Sequence, residues 1–476
     1  MTQHSKGTAH HVTVVGGGLS GAAIAYHLAR QVDPTLVQIT VIEPRAELGQ
    51  GLAYSTPDPD HRLNVPDHKM SLSVDDPEDF HRWLHSPEGP VLPGASATLR
   101  GEIFAPRHVF ASYVAARLRP YLASGQIRHL QDTATGAEEL ADGRLVLRTE
   151  GGARIFADQL VLSITHPAPR LPAEIARLAG HRTLIADAYA PGALDGIAPT
   201  DRVLVLGSGL TGADVVATLV QRGHLARIDL LSRHGRFSAP HGPVQAETSG
   251  DFAKAPEKTA LELLRRVRAV LQADAAAGLT WHAAFDRLRA QGPAIWAALP
   301  QPERRRFLRH LRGLWDVHRF RIAPQTHDIL QKSIAARRVL PVAGQITIAQ
   351  ANGRKATLQI RLRKSQELLT VEVDRIILAT GPSHSDAIRQ SPFLTALAGL
   401  GLIAPDPLGL GLATAPTGAA RHIDGTADER ILIGGPLARG TVGELMGVPE
   451  VTSWAARLAT ELLGRVPVAA TTVAAG

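Results

Sequence analysis

The sequence predicts an α/β protein with two parallel-sheet units of the strand–turn–helix kind and an all-helical insertion in the second. Three observations carry this. Residues 12–29 and 203–217 each run from a β-branched strand through three spaced glycines into an Ala- or Val-rich helix. Apolar strand-like runs return after Val339, and between them residues 255–325 switch to a helical apolar period.

In the first unit Gly16 allows a tight turn, Gly18 lets the backbone approach an anion, and Gly21 brings the helix onto the strand. Leu19 and Ser20 open the helix, whose free N–H groups face a pyrophosphate. The glycines alone are a weak signal. The next apolar run, Val37 to Ile42, ends in Glu43, about 20 residues past Gly21, where a carboxylate accepts from a ribose hydroxyl. Glu43, Pro44 and Arg45 are therefore assigned to the same dinucleotide site.

Periodicity is poor up to Ser71, so this stretch reads as loop, and a long loop after such a unit is usually functional. It holds Gly49-Gln-Gly51-Leu-Ala-Tyr54, Leu63-Asn64-Val-Pro66 and Met70-Ser71, then Asp75-x-Pro77-x-x-Phe80-x-x-Trp83-Leu84. This order resembles the bacterial FAD-NAD(P)-binding proteins, relatives of flavin-dependent N-hydroxylating monooxygenases. The resemblance implies that Gly51, Tyr54, Asn64, Met70 and Ser71 cover a flavin, with Asn64 nearest the ring edge and a catalytic candidate. Pro106-Arg107 opens a helical pattern through Tyr113 and Leu118, and the resemblance puts Arg107 near the cofactor.

Residues 126–162 alternate as short strands around the turn Ala141-Asp142-Gly143. Ser163-Ile164-Thr165-His166-Pro167 follows where Ala-Thr-Gly is common in two-dinucleotide flavoproteins, which puts in doubt any backbone contact needing glycine at 165. The second unit carries Gly207, Gly209 and Gly212, with Leu210 and Thr211 opening its helix. Its next strand ends at Ser232-Arg233, about 20 residues past Gly212. An acidic residue there would accept from a free 2′-hydroxyl. Serine and arginine favour a 2′-phosphate instead, so NADPH is expected, with Arg233 its main partner.

The helical insertion closes on Trp315-Asp316-Val-His318-Arg319-Phe320-Arg321, which resembles the same family and makes His318 and Arg319 catalytic candidates and Arg319 and Arg321 substrate candidates. Ala379-Thr380-Gly381 then returns the chain toward the first unit. Val448 and Pro449 open a last helix whose N–H groups are expected to meet the flavin. Gly443 stands where the resemblance leads one to expect tryptophan, and is expected to enlarge the substrate pocket. The expected domains are residues 1–190 for FAD, 191–372 for NADPH with the insertion at 255–330, and 373–476 returning to the FAD domain.

A chain of 476 residues exceeds one ordinary core, consistent with several domains. Its net charge of +7 comes mostly from dispersed arginine without a basic block, which suits anionic ligands rather than nucleic acid. With no cysteine, disulfide-reducing flavin chemistry and thiolate metal sites are excluded. No metal site, targeting segment or membrane span is read, so a cytoplasmic address is expected.

Two Rossmann-like dinucleotide-binding domains imply a flavin reduced by a nicotinamide. The resemblance implies an FAD- and NADPH-dependent monooxygenase using dioxygen on an amino acid or small amine, through a C4a-hydroperoxyflavin. An NADPH:acceptor oxidoreductase without oxygen insertion and a non-catalytic nucleotide-binding protein are the alternatives. Oligomeric state stays open.

Overall fold

Short apolar runs rich in valine, isoleucine and leucine are buried on both faces and pair in parallel, which is what doubly covered sheets require. In a computed structural model describing residues 9–92, 96–164 and 167–466, they form two such sheets. The first has the strand order 419–421, 427–433, 159–162, 10–15, 37–42, 127–130, and only its 419–421 edge is antiparallel. Val12 opposite Ile39 and Val14 opposite Val41 set its register, and all four side chains are buried. The helices Leu19–Ala29 and Val448–Leu463 pack together over it, with Ile24, Leu28, Leu458 and Leu462 in one core.

The second sheet has the order 368–373, 355–362, 339–352, 228–232, 203–206, 375–378, 184–185, parallel from 339–352 onward. Its membership corrects the expected boundaries. Leu184–Ile185 and Arg375–Leu378 both lie in this sheet, so the chain enters it before 190 and leaves it after 372. An apolar run such as 375–378 reads alike in either sheet, and only its pairing with Val203–Leu206 decides. A smaller antiparallel sheet, 134–139, 145–149 and 154–157, accounts for the alternating stretch before Ser163.

Between Ile228–Ser232 and Pro324–Ala335 the helices Ala260–Ala276, Trp281–Ala290, Gly292–Ala298, Gln301–His310 and Arg312–Arg319 form the insertion. They close over their own core of Phe252, Leu263, Leu288, Ile295 and Leu299. Thr259 caps the first of them, accepting from the Glu262 N–H at 3.2 Å and donating its hydroxyl to that residue's carboxylate at 2.7 Å. No helix among the described residues is long and apolar enough to cross a membrane.

Candidate active site

The two glycine turns are built alike. Gly16 has φ +95° and Gly207 φ +122°, and a Cβ on either would strike a backbone carbonyl, Ser163 O or Ala379 O. A Cβ on Gly21 or Gly212 would strike the carbonyl of Gly16 or Gly207, so each helix lies against its own turn. Gly18 and Gly209 cap the helices Leu19–Ala29 and Leu210–Gln221 without a side-chain cap, and neither first turn carries an acid. Both N-termini thus keep free N–H groups for an anion, and these residues fit dinucleotide pyrophosphates. Ser20 and Gly51 lie beside the first turn: Cβ atoms built on Gly435 and Gly18 would meet them, the latter at 3.2 Å.

Glu43 buttresses the first turn from within. Its carboxylate accepts from Gly17 N at 2.9 Å, Arg45 N at 3.2 Å and Arg45 Nη1 at 2.9 Å. Pro44 presents its carbonyl to Gln131 Nε2 at 3.4 Å.

Two cavities open between the sheets and the insertion. The first, about 270 Å³, is lined by Tyr54, Leu63, Asn64, Met70, Arg107, Tyr189, Arg319 and Val448 among others. The second, about 750 Å³, is lined by Gly207, Gly209, Ser232, Arg233, His234, Arg236 and Asp316 among others. Leu210, Thr211, Phe320, Ala379, Gly381 and Met446 line both, so the two spaces share a wall. His234 is held below its ordinary pKa by burial and by Arg363, Arg236 and Arg233, which marks a concentrated positive field at the Ser232 end.

Neighbours fix the groups on the first cavity. The Asn64 carbonyl accepts from His241 Nε2 at 3.0 Å, and burial, then Arg321, pushes that imidazole down to about 4, so it stays a neutral donor. Burial pushes the Tyr54 hydroxyl up to about 12. Arg107 joins the two units: Nη2 donates to Asp214 at 2.6 Å, Nη1 to the Tyr189 hydroxyl at 3.1 Å, and Nε to the Arg62 carbonyl at 3.1 Å. Burial alone would lower its guanidinium, but Asp214 and Tyr189 raise it above its ordinary value. Met446, Gly447 and Val448 bring the start of Val448–Leu463 to this cavity, with Pro449 in the first turn.

Several expected site residues lie elsewhere. Ser71 is off both walls, its hydroxyl donating to the Asp76 carbonyl at 2.7 Å. His318 is a packing residue, stacked on Phe285 at 4.5 Å, edge-on to Trp281 at 4.7 Å, and bonded to the Leu314 carbonyl at 2.8 Å. Arg321 pairs with Asp286 at 2.8 Å over the Trp281 ring. Arg319 reaches the first cavity, but its Nη2 is engaged by Glu444 at 2.9 Å and Glu450 at 3.4 Å. Gly443 enlarges nothing: a Cβ there would meet Trp296 Cγ at 2.7 Å. Trp296, from the insertion, fills that space and donates its indole N–H to the Gly440 carbonyl at 2.8 Å. Thr165 lies outside the described residues.

Phe320, Met446, Tyr189 and Asp214 were missed from sequence. Phe320 lies within a singled-out motif and was within reach of that signal, whereas Tyr189 sits in irregular chain with none. Among the described residues no group of three His, Asp or Glu side chains could hold a metal ion.

Residues 13–167 match the family model described as FAD-NAD(P)-binding, and residues 99–242 that described as L-lysine 6-monooxygenase/L-ornithine 5-monooxygenase. No curated protein sequence matches the chain significantly. Among solved structures, L-lysine 6-monooxygenase from Pseudomonas syringae is 20% identical with TM-score 0.64, covering 98% of this chain and 100% of that one. The reduced form of ornithine hydroxylase from Pseudomonas aeruginosa is 16% identical with TM-score 0.63, covering 95% and 100%. The FAD-bound cadaverine monooxygenase of desferrioxamine biosynthesis from Erwinia amylovora is 14% identical with TM-score 0.58, covering 98% and 98%. At these identities the likeness is one of fold.

Proposed function

We propose that this chain, carrying FAD-NAD(P)-binding and lysine/ornithine monooxygenase matches on a two-nucleotide fold, is an FAD- and NADPH-dependent N-hydroxylating monooxygenase. The balanced reaction is R–NH2 + O2 + NADPH + H⁺ → R–NHOH + H2O + NADP⁺. The observation that carries this reading is the wall common to the two cavities, formed by Leu210, Thr211, Phe320, Ala379, Gly381 and Met446. A dinucleotide on each side of it brings a hydride donor next to an acceptor. The absence of cysteine leaves no protein disulfide to take the electrons onward.

The bound flavin supplies hydride acceptance and oxygen activation. This chain's residues supply the setting. Gly16, Gly18, Leu19, Ser20 and Gly21 hold the FAD pyrophosphate, with Glu43, Pro44, Arg45 and Gly51 around them. Gly207, Gly209, Leu210, Thr211 and Gly212 hold that of NADPH, and Ser232 and Arg233 its 2′-phosphate. The apolar lining of Leu52, Leu63, Val65, Met70 and Val448 excludes water and favours a neutral amine over an ammonium. The N-terminal end of Val448–Leu463 favours negative charge on the reduced ring. A cytoplasmic location suits an NADPH-fed enzyme without cysteines.

The test is to mix NADPH-reduced enzyme rapidly with oxygenated buffer, with and without candidate amines, and to assay hydroxylamine. A transient absorbance preceding reoxidation, shortened by an amine that becomes hydroxylated, is the expected result. Reoxidation without a transient or hydroxylamine would favour the NADPH:acceptor oxidoreductase instead.

A further inference from the structure

Gly447 separates the first cavity from a set of paired charges. It lines that cavity with Met446, Val448 and Arg319. A Cβ built on it would strike Glu450 Oε2 and come within 2.9 Å of Arg319 Nη2 and 3.0 Å of Arg289 Nη2. Only a residue without a side chain lets charged groups approach the wall this closely. Arg289 forks onto Glu450 at 2.5 and 3.0 Å, and Arg319 Nη2 donates to Glu444 at 2.9 Å and to Glu450 at 3.4 Å. Both carboxylates flank Gly447 in the chain, whereas both arginines come from the insertion, on helices Trp281–Ala290 and Arg312–Arg319.

The balance of these four charges bears on the cavity. Glu450 sits in the first turn of Val448–Leu463, where a bare carboxylate would offset the positive end of the helix. Burial would raise its pKa, but Arg289 and then Arg319 hold it below its ordinary value, so it stays ionised and paired. Glu444 is offset by Arg319. Two cations against two anions leave the quartet neutral, and the helix end keeps its positive potential toward the cavity. Stability alone is a weak reason for such a group, since a buried ionic set is often no better than apolar packing of the same volume.

We propose that Arg289 and Arg319 are positioning residues that set the reduction potential of the flavin by neutralising Glu450 and Glu444 behind Gly447. This rests on the reading that places FAD at the first cavity. Hydride from NADPH brings two electrons and one proton, which leaves the ring with one negative charge. A negative charge released behind the wall disfavours that state, and a positive one favours it. Arg439 acts on Glu444 and Arg319 through space and is the same in every variant below, so differences between variants read the quartet.

The test uses FAD-loaded protein and reads the two-electron midpoint potential, by equilibration with a dye, and the Kd for sulfite. Sulfite forms a reversible sulfur–nitrogen bond at ring N5, and its electron pair leaves a negative charge on the ring, so its affinity reports the same field. Arg289→Gln is expected to weaken sulfite about tenfold, and Glu450→Gln and Glu444→Gln to tighten it to a similar extent. Each tenfold change corresponds to about 30 mV, downward for Arg289→Gln and upward for the other two. Arg289→Gln with Glu450→Gln removes one charge of each sign and is expected to return both readings to within about threefold of wild type. Wild-type readings in both glutamate variants overturn the proposal even if Arg289→Gln does not fold. So does a double variant that keeps the shift of Arg289→Gln, because lost packing rather than charge is then the cause. A chain that takes up no FAD removes the reading and the proposal together. The expected shifts in a protein that forms no hydroxylamine from any amine leave the quartet standing and remove the N-hydroxylation reading.

Discussion

At the scale of single residues, charge decides cofactor choice. Arg233 lines the second cavity beside Ser232, His234 and Arg236, with no acid among these four to repel a 2′-phosphate. One charge-assisted hydrogen bond contributes about 1.5–3 kcal/mol, so Arg233→Ala should cut the NADPH-over-NADH preference by about 10- to 100-fold. The measurement is the rate of flavin reduction against each nucleotide, and an unchanged ratio would move the phosphate to another group. Arg233 was legible because an arginine at a strand end, a fixed distance after a glycine turn, has a local meaning. The partner of Arg107 was not, because no local pattern joins it to Asp214, which the packed molecule brings to 2.6 Å.

At the scale of elements, the loop that carries Asn64 is tied to the segment leading into the insertion by a hydrogen bond from a titratable group. His241 donates to the Asn64 carbonyl and faces Phe104 at 5.0 Å, with Arg321, Lys69 and Asp286 within electrostatic reach. Its folded pKa of about 4 lies below the ordinary 6.5, so between these values the unfolded chain takes up a proton that the folded chain refuses. Stability is complete above pH 6.5 and falls toward pH 4 by roughly 3 kcal/mol on this account. His241→Gln can keep the donor without the titration, so its denaturation midpoint should depend less on pH over that window. Parallel curves for the two proteins would contradict a buried neutral imidazole. Element identity itself was largely legible: both glycine turns, the helix from Arg107 and the helical insertion follow from period and punctuation. The partner of each element was less so, as Trp296 filling the space at Gly443 shows, since the two residues lie far apart in sequence.

At the scale of the molecule, the two nucleotide units are clamped by Arg107 on one and Asp214 on the other, with Tyr189 donating to the same carboxylate at 2.7 Å. A second bridge joins Thr218 to Asp58 at 2.8 Å and to His61 at 3.1 Å. Removing one partner of a buried pair strands the other charge, so Arg107→Ala should cost roughly 3–5 kcal/mol of stability. It should also slow flavin reduction by NADPH, because the common wall depends on the two units staying in register. Chemical denaturation and rapid-mixing reduction kinetics check the two effects, and a variant normal in both would reduce the clamp to a surface contact.

The sequence by itself determined that two dinucleotide turns exist and that a helical block interrupts the second unit, because glycine geometry and hydrophobic period are local properties of the chain. Only the tertiary structure decided which charges meet. Arg319 and Arg321 stand in a conspicuous motif yet are engaged by Glu444, Glu450 and Asp286, and Arg107 by Asp214. Pairing between charges distant in sequence depends on distances across the packed molecule, and no residue's neighbours along the chain encode them.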